Sequence, residues 1–435
     1  MMGWLQQDYQ NLTDSLPGQS LPWLNALRSE AFEYFSDKGF PSLRDEDWRY
    51  TNVSAIEKKL FTPQLDISTA KVNQSWLEKY QLEDVFTVVL VNGRFSQALS
   101  NLDNLPTRVA IGSLAEILEQ QPDLVEKYLN KAVNHKEHGF VAFNTAWFSD
   151  GLFVHVPSNQ VLEKPIQLLH LVTQVDCLTA TRNILVADEM AKVQVVETFV
   201  GVNDAYLSAA VTEVFVGENA DLTLYKVQNE GEKAYHFGGT YIKQERDSRF
   251  NHHNFAFGGL LARNDIHTDL DVASECDLNG LYLGEKRQHI DNHTRIHHRQ
   301  PHAISHELYK GVLNQRARGV FQGRVIVAED AQKTDSVMNN RNLLLSNDAE
   351  ADTKPQLEIY ADDVKCAHGV TVGQLDEQSI FYLKSRSIDE ETARNILTFA
   401  FANEMVDKVP LESLRGFLLD QVLQRFPQQG MDKSW

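Results

Sequence analysis

Cysteine is scarce in this sequence. Cys177, Cys276 and Cys366 are the only three among 435 residues, an odd number set far apart with no CxxC pair. A disulfide framework is therefore not expected, and a reducing cytoplasm is the setting that fits. Three thiols also fall short of the four-thiolate cage that encloses a metal cluster. Basic residues are in deficit, 41 Lys and Arg against 60 Asp and Glu, for a net charge of −19. That balance argues against nucleic acid and against an anionic membrane surface, both of which are gripped by basic patches. No apolar run approaches the roughly 18 residues of a membrane-spanning helix. Met1 to Asp8 carries neither the basic nor the apolar segment of a signal peptide. Enzyme signatures are missing as well: there is no GxxxxGK phosphate loop, no HExxH and no GxSxG, and Gly258-Gly259 stands outside any dinucleotide fingerprint. The chain is expected not to be an enzyme, and any ATPase it works with must be another polypeptide.

What is present is ample apolar content, 42%, enough for ordered cores, in a length that suggests two or three domains. Residues 1–135 mix helix and strand. Leu24, Leu27, Ala31 and Phe35 mark one face of a helix stopped by Gly39 and Pro41. Thr87 to Val91 reads as a strand ending in an Asn92-Gly93 turn, and a helical pattern from Leu114 to Leu129 should break at Pro122. Residues 140–385 are dominated by short β runs, with Leu357, Ile359 and Ala361 in strand alternation. Polar turns followed by a small residue recur at 191, 220, 276 and 331, separated by 29, 56 and 55, while the next step, to 349, is only 18. A period near 28 fits a stacked β-solenoid, and ordinary turns in an antiparallel sandwich remain the alternative. Residues 387–435 read as a helical hairpin. Ser387 and Glu390 form a capping-box pattern, and Ala393, Ile396, Leu397, Ala400 and Phe401 make the apolar face. Pro410 suits the first turn of a second helix, whose stripe is Leu411, Leu414, Leu418 and Val422, ended by Pro427 and Gly430. The hairpin can dock on the β body or present a groove to a partner.

Two constellations bear on chemistry. In Asp362 to Gly369, Cys366 and His368 share one face if the stretch is a strand. A thiolate beside an imidazole suits iron or zinc, but two ligands need others from elsewhere in the fold or from a second protein. A buried structural Cys beside a hydrogen-bonded His is the competing reading. Gly369 would let another backbone approach. The second constellation is histidine-rich: His289, His293, His297, His298, His302 and His306. Spacing of four would align three of them on a helix. The β-like surroundings with Pro301 favour a different role, satisfying backbone groups at turns or facing an interface, and the same holds for His252-His253. A His-based metalloenzyme and a β-helix hydrolase or lyase of acidic polysaccharide are the rival readings, and −19 would repel the acidic polymer.

Several segments resemble the SufD family of the bacterial SUF iron–sulfur cluster assembly machinery: Gly39 to Pro41 with Asp45 to Thr51, Val91 to Gly93, Asn144 to Ala146 with Asp150-Gly151, Ser305 to Gly311, Asn340 to Leu345, Pro355 to Gly369 and Phe381 to Arg386. No cysteine-rich segment lies near the N-terminus, and the Cys-Ala-His-Gly form is SufD-like rather than SufB-like. Ser387 stands where the family commonly has Gly. The resemblance implies a mainly β fold, a right-handed parallel β-helix core flanked by N-terminal and C-terminal helical domains. It implies a scaffold that pairs with SufB through the β-helix, binds the ATPase SufC through its C-terminal helices, and forms a homodimer in isolation. It implies that His368, with Cys366 beside it, is a metal ligand for a transient iron–sulfur cluster or iron at the subunit interface, with no tightly bound cofactor. Flavin association of the complex is not readable from these residues.

Overall fold

The strand alternation between residues 150 and 373 resolves into a parallel β-solenoid. The computed structural model describes residues 13, 15–63, 72 and 74–427; the expectations resting on Met1 to Asp8 and on Gly430 lie outside them. Each coil gives one strand to each of two sheets. The first sheet runs β4 (Ala110–Ser113), β5 (Leu152–Val156), β7 (Cys177–Ala187), β9 (Leu207–Val216), β11 (Tyr235–Gln244), β13 (Leu261–Leu270), β15 (His289–His298), β17 (Arg318–Val327), β19 (Glu350–Ile359), with β1 (Thr62–Pro63) on β7. The second runs β3 (Arg94–Phe95), β2 (Phe86–Val91), β6 (Ile166–Val172), β8 (Lys192–Gly201), β10 (Asp221–Gln228), β12 (Arg249–Ala256), β14 (Glu275–Gly284), β16 (Ile304–Leu313), β18 (Asp335–Leu344), β20 (Lys365–Gly373). From β5 and β6 onward the ladders are parallel, which removes the antiparallel-sandwich alternative.

The coil length is not constant. Arg249 pairs with Glu275, 26 residues on, while Arg318 pairs with Glu350, 32 on. The small residues belong to two corners, not one. The first corner stacks Ala191, Ala220, Ser248, Ser274, Ala303 and Thr334, each carbonyl taking the N–H that opens the next coil's strand. Cys276 and Ala331 are therefore not corner residues: Cys276 faces inward on β14, and Ala331 sits in an enlarged turn. Ala349 stacks on Ala317 at the opposite corner, which explains the short step of 18. One residue before the first corner the chain adopts positive φ at Met190, Asn219, Asp247, Ala273, His302 and Lys333.

The N-terminal part wraps one end and one outer face of this stack. Helix α1 (Pro22–Lys38) buries Leu24, Arg28, Ala31 and Phe35 and ends at Gly39, whose φ of 68° suits glycine. Helices α2 (Ser54–Glu57) and α3 (Gln74–Tyr80) follow. The segment from Leu114 does break at Pro122, into α4 (Leu114–Gln120) and α5 (Pro122–Glu126), because proline takes the first-turn position of the second helix. Helix α6 (Gly139–Trp147), buried throughout, lies against β7 and β9. Two motif residues join this part to the solenoid. Asp150 accepts from the N–H groups of Phe95 (2.9 Å), Gly151 (2.8 Å) and Ala115 (3.2 Å) and from the Ser113 hydroxyl (2.8 Å). Asn144 donates to the carbonyls of Thr181 and Ala209.

At the other end come α7 (Glu377–Ser385), α8 (Glu390–Val406) and α9 (Glu412–Arg425). Three sequence expectations need correction here. Ser387 caps nothing on α8; it is the left-handed residue (φ 67°) closing α7, with Ser387 N–H on Lys384 O and Ile388 N–H on Leu383 O. Asp389 caps α8 instead, accepting from Thr392 N–H at 3.0 Å. Pro410 precedes α9, which begins after Leu411. The buried face of α8 is Thr392, Ala393, Thr398, Ala402, Met405 and Val406, the last three packed with Leu414, Leu418 and Val422 of α9 on the outer side of the second sheet, so of the expected face Ala393 is fully buried. Ala400 is exposed, and Ile396, Leu397 and Phe401 are half-buried. Since a non-glycine pays for left-handed backbone, Ser387→Gly is expected to stabilise the protein by about 1 kcal/mol. Thermal melting checks this; an unchanged or lower midpoint contradicts it.

Candidate functional site

Among the described residues the solenoid ends without a cap. β19 and β20 are the terminal strands of their sheets, so each has one unpaired edge. Lys365 N–H bonds Thr334 O, so the odd residues of β20 serve β18, and the backbone groups of Cys366, His368, Val370 and Val372 point out of the fold. On β19, Tyr360 N–H bonds Val327 O, so the odd residues face outward there. Pro355 falls in that outward row, the one place in the strand where a missing N–H costs no ladder bond.

Cys366 and His368 lie on this last strand, as strand alternation requires. Cys366 continues the inward row of Cys276, Ser305 and Ser336. His368 continues the row of Leu278, Glu307 and Met338. With no further coil to cover them, Cys366 is half-buried against the apolar core and His368 is exposed. Burial pushes the Cys366 thiol up, and Asp335 adds to this. The same end face exposes Ile359 (39%), Val372 (45%) and Tyr360 (64%). It is thus an apolar cross-section rimmed by two free strand edges, with one thiol and one imidazole at its surface. Gly369 does sit close to its neighbour: a Cβ there would lie 2.8 Å from Asn339 Oδ1.

The histidine-rich run forms β15 and its following turn and strand, so the helical alignment of His289, His293 and His297 does not exist. The outward residues meet the N-terminal segment. Thr51 donates to Asp291 (2.6 Å) and lies 2.8 Å from His289 Nε2. Arg263, on β13, is the hub. Its guanidinium stacks over Trp48 at 3.7 Å and donates to Asp265 (2.8 Å), Asp291 (2.7 Å), the Asp47 carbonyl (2.7 Å) and His293 Nδ1 (3.0 Å). Burial alone would raise the Asp265 carboxyl, but Arg263 holds it well below the usual range. His138 Nε2 is 3.2 Å from the same carboxylate. A cleft of about 340 Å³ opens beside this cluster, between Phe40 to Trp48 and the solenoid face. Its buried charges are already matched by a guanidinium, and among the described residues no group of three or more His, Cys, Asp or Glu is placed to hold a metal. The cluster clamps the segment 47–51 to the solenoid. Sequence spacing could not reveal it, because Arg263 is 215 or more residues from its partners Asp47 and Trp48.

The remaining histidines divide by strand parity. His298 points inward and bonds Ser305 (2.9 Å), His297 faces Asp269 (3.6 Å), His302 sits in a turn and His306 faces Asp277 (3.3 Å). His252 is inside the solenoid, and His253 is outside, stacked on Tyr225 beneath the C-terminal helices. Those helices are pinned by Lys310, which donates to Glu404 and to the Phe401 carbonyl, and by Arg425 on the Phe257 carbonyl. Their far side is left open, with Phe381 73% and Tyr382 57% exposed beside Ile396 and Leu397.

Comparison with known proteins agrees with this architecture. The family described as "SUF system FeS cluster assembly, SufBD core domain" matches residues 170–401, and "SufBD protein N-terminal region" matches residues 4–168. The chain is 33% identical over 408 residues to an iron–sulfur cluster assembly SufBD family protein of Synechocystis sp., covering 90% of this chain and 88% of that one. It is 32% identical to the iron–sulfur cluster assembly protein SufD of Escherichia coli, with 89% and 90% covered. To the SufD of Bacillus subtilis it is 26% identical, with 93% and 94% covered. No helix among the described residues is long and apolar enough to cross a membrane.

Proposed function

The chain belongs to the SufBD family of SUF-system iron–sulfur cluster assembly proteins, and we propose that within that machinery it is a non-catalytic scaffold whose open solenoid end is completed by a sister subunit of the SufB type. The observation that carries this is the end face itself: two free strand edges flanking an apolar cross-section, with Cys366 and His368 at the surface. A second solenoid end matches all three elements at once, because strand addition satisfies both edges while the apolar sections cover each other. In that seam Cys366 and His368 supply two ligands of a nascent cluster or of iron, and the sister subunit supplies the rest. The cluster is cargo in this arrangement, held transiently and passed on.

The three-part division at 1–135, 140–385 and 387–435 assigns the last part to an ATPase subunit of the SufC type. The exposed Phe381 and Tyr382, beside a shallow recess lined by Leu383, Ile396 and Leu397, are the apolar anchors for it. Motion imposed there reaches the solenoid through Lys310 and Arg425, which tie the helices to β16 and to the residue after β12. A cytoplasmic setting follows from the same reading.

Co-purification of this chain with a SufB-type subunit and an ATPase tests the assembly. In that complex His368→Ala is expected to leave subunit composition unchanged and to lower cluster yield about tenfold or more, at least the loss typical of disturbed metal-site surroundings. Iron and sulfide content of the reconstituted complex measures it. A normal yield removes His368 from the site.

A further inference from the structure

Inside the solenoid, away from the end face, lies a group of buried polar side chains that the scaffold role does not use. Glu307 projects inward from β16, in line with Leu278 and Met338, and is 2% exposed. Its carboxyl oxygens meet no donor among the described residues beyond the Thr294 hydroxyl, which faces them from the first sheet; two residues away on the same strand is Asn292. Asn292 accepts from Asn254 of β12 at 2.8 Å and is the ladder neighbour of Asn264 on β13. Both amide atoms of Asn264 are buried without partners among the described residues, and Asn254 Oδ1 and the Tyr309 hydroxyl have at most each other. Tyr309 lies next to Asn254 because the residue between them in the ladder is Gly280, where a Cβ would meet the Tyr309 ring at 2.1 Å. Six side chains from four strands thus turn carboxylate, amide and hydroxyl oxygens into one stretch of the bore. Orphaned buried polar atoms are each costly, and so many together point to a guest that satisfies them.

We propose that this stretch of the bore binds one small monovalent cation, sodium or potassium in class, held by the Glu307 carboxylate and by the side-chain oxygens of Thr294, Asn292, Asn254, Asn264 and Tyr309. The donors decide the class. Oxygen-only sites take hard cations, whereas the soft sites of zinc or iron need several His or Cys ligands, which no group of described residues supplies. Charge decides the valence. Glu307 is the one carboxylate there, so a single positive charge leaves the interior neutral, and a divalent ion would leave an excess charge in low dielectric.

Proton and cation compete for the same oxygens. With no cation beside it, burial pushes the Glu307 carboxyl up to about 8, with the Thr294 hydroxyl opposing the rise. The other ionisable groups facing it are Cys276 from β14, Tyr309 on its own strand and, one ladder row beyond Leu278, His252 from β12; β15 brings Thr294 and β18 brings Met338, neither of which titrates. Its folded pKa lies above the unfolded value near 4.5, so the stability it lends is complete below that value and is lost as pH rises through about 8. Cation binding offsets that loss, and only where the proton has left.

The test is thermal melting of the full chain at equal ionic strength in potassium chloride, sodium chloride or tetramethylammonium chloride, at pH 6 and pH 8.5. Tetramethylammonium is too large to enter. The expected result is a midpoint several degrees higher in potassium or sodium than in tetramethylammonium at pH 8.5, little difference at pH 6, and no difference at either pH in Glu307→Gln. Equal midpoints in all three salts at pH 8.5, or the same salt effect in Glu307→Gln, would overturn the proposal. Should Glu307→Gln fail to fold, crystals of the unaltered chain grown in rubidium chloride decide it: anomalous density beside Glu307 supports the site, and its absence there overturns it.

Discussion

Replacing Arg263 with alanine is expected to cost about 3–5 kcal/mol of stability, because it strands two buried carboxylates rather than merely deleting contacts. Arg263 and both partners, Asp265 and Asp291, are at most 2% exposed. Once the guanidinium is gone, each carboxylate must either remain charged in a poor dielectric or take up a proton. The indole face of Trp48 and the Asp47 carbonyl lose their partner in the same step. The loss should concentrate where the N-terminal segment meets β13 and β15. Hydrogen exchange at residues 47–51 should therefore rise by more than exchange in the second sheet, and the denaturant midpoint should fall. Arg263→Lys should recover only part of this, since an ammonium cannot fork to two carboxylates and also stack flat on an indole. Adding Asp265→Asn and Asp291→Asn to Arg263→Ala should recover some of the lost stability by removing the stranded charges. An unchanged midpoint in Arg263→Ala would show that the cluster does not clamp the segment.

Acidification is the second large effect. Burial pushes His252 down to about 3, helped by Lys226 and His253. It pushes His253 down to about 4, with Lys408 adding, and His298 down to about 4, with His297 adding. A histidine whose folded pKa is depressed is neutral in the fold while the unfolded chain already binds its proton. The stability it carries is complete above the unfolded value near 6.5 and is lost as pH falls from there toward the folded value. At roughly 1.4 kcal/mol per unit, each of the three contributes on the order of 3 kcal/mol of loss. Together they rival the 5–15 kcal/mol that holds a typical domain together. Unfolding is therefore expected between about pH 6 and pH 4, with these three histidines taking up about one proton each. Denaturant titrations at stepped pH measure it, the proton uptake following from the slope of stability against pH. His298→Gln can keep the bond to Ser305 without a titrating group, and should move the acid transition to lower pH. A stability that stays flat down to pH 4 would contradict this account.

The clamp and the buried histidines concern the same feature of the chain, the use of histidine as structure. His368, by contrast, is exposed at a strand edge. That contrast separates the two histidine-bearing stretches of the sequence. His289 and His293 are tied to partners inside the fold, whereas the neighbourhood of His368 is open where a partner would supply the rest.

What the sequence determined by itself is whatever depends on near neighbours along the chain. The break at Pro122, the stop at Gly39 and the shared face of Cys366 and His368 follow from φ limits and from two-residue alternation, and all are present. The period near 28 was visible because every coil must turn the same corner: Ala191 and Ala220 occupy it, and Cys276 and Ala331 kept the count because they lie two and three residues from the corner positions Ser274 and Thr334. Where local reasoning failed, a longer-range contact had overruled it. Ser387 resembled a cap by spacing, yet the end of α7 claimed it as a left-handed residue. The apolar face of α8 was placed only in part, Ala393 being buried and Ala400 exposed, because the second sheet, not the helix's own periodicity, selects which side is buried. Arg263 and Glu307 gave no signal at all. An arginine becomes a clamp, and a glutamate an unpaired acid in a dry bore, only when stacking brings residues tens or hundreds of positions away within a few ångströms. Which end of the solenoid stays uncapped is likewise a property of the assembled coils, since an unpaired strand edge exists only once every other edge has found its neighbour.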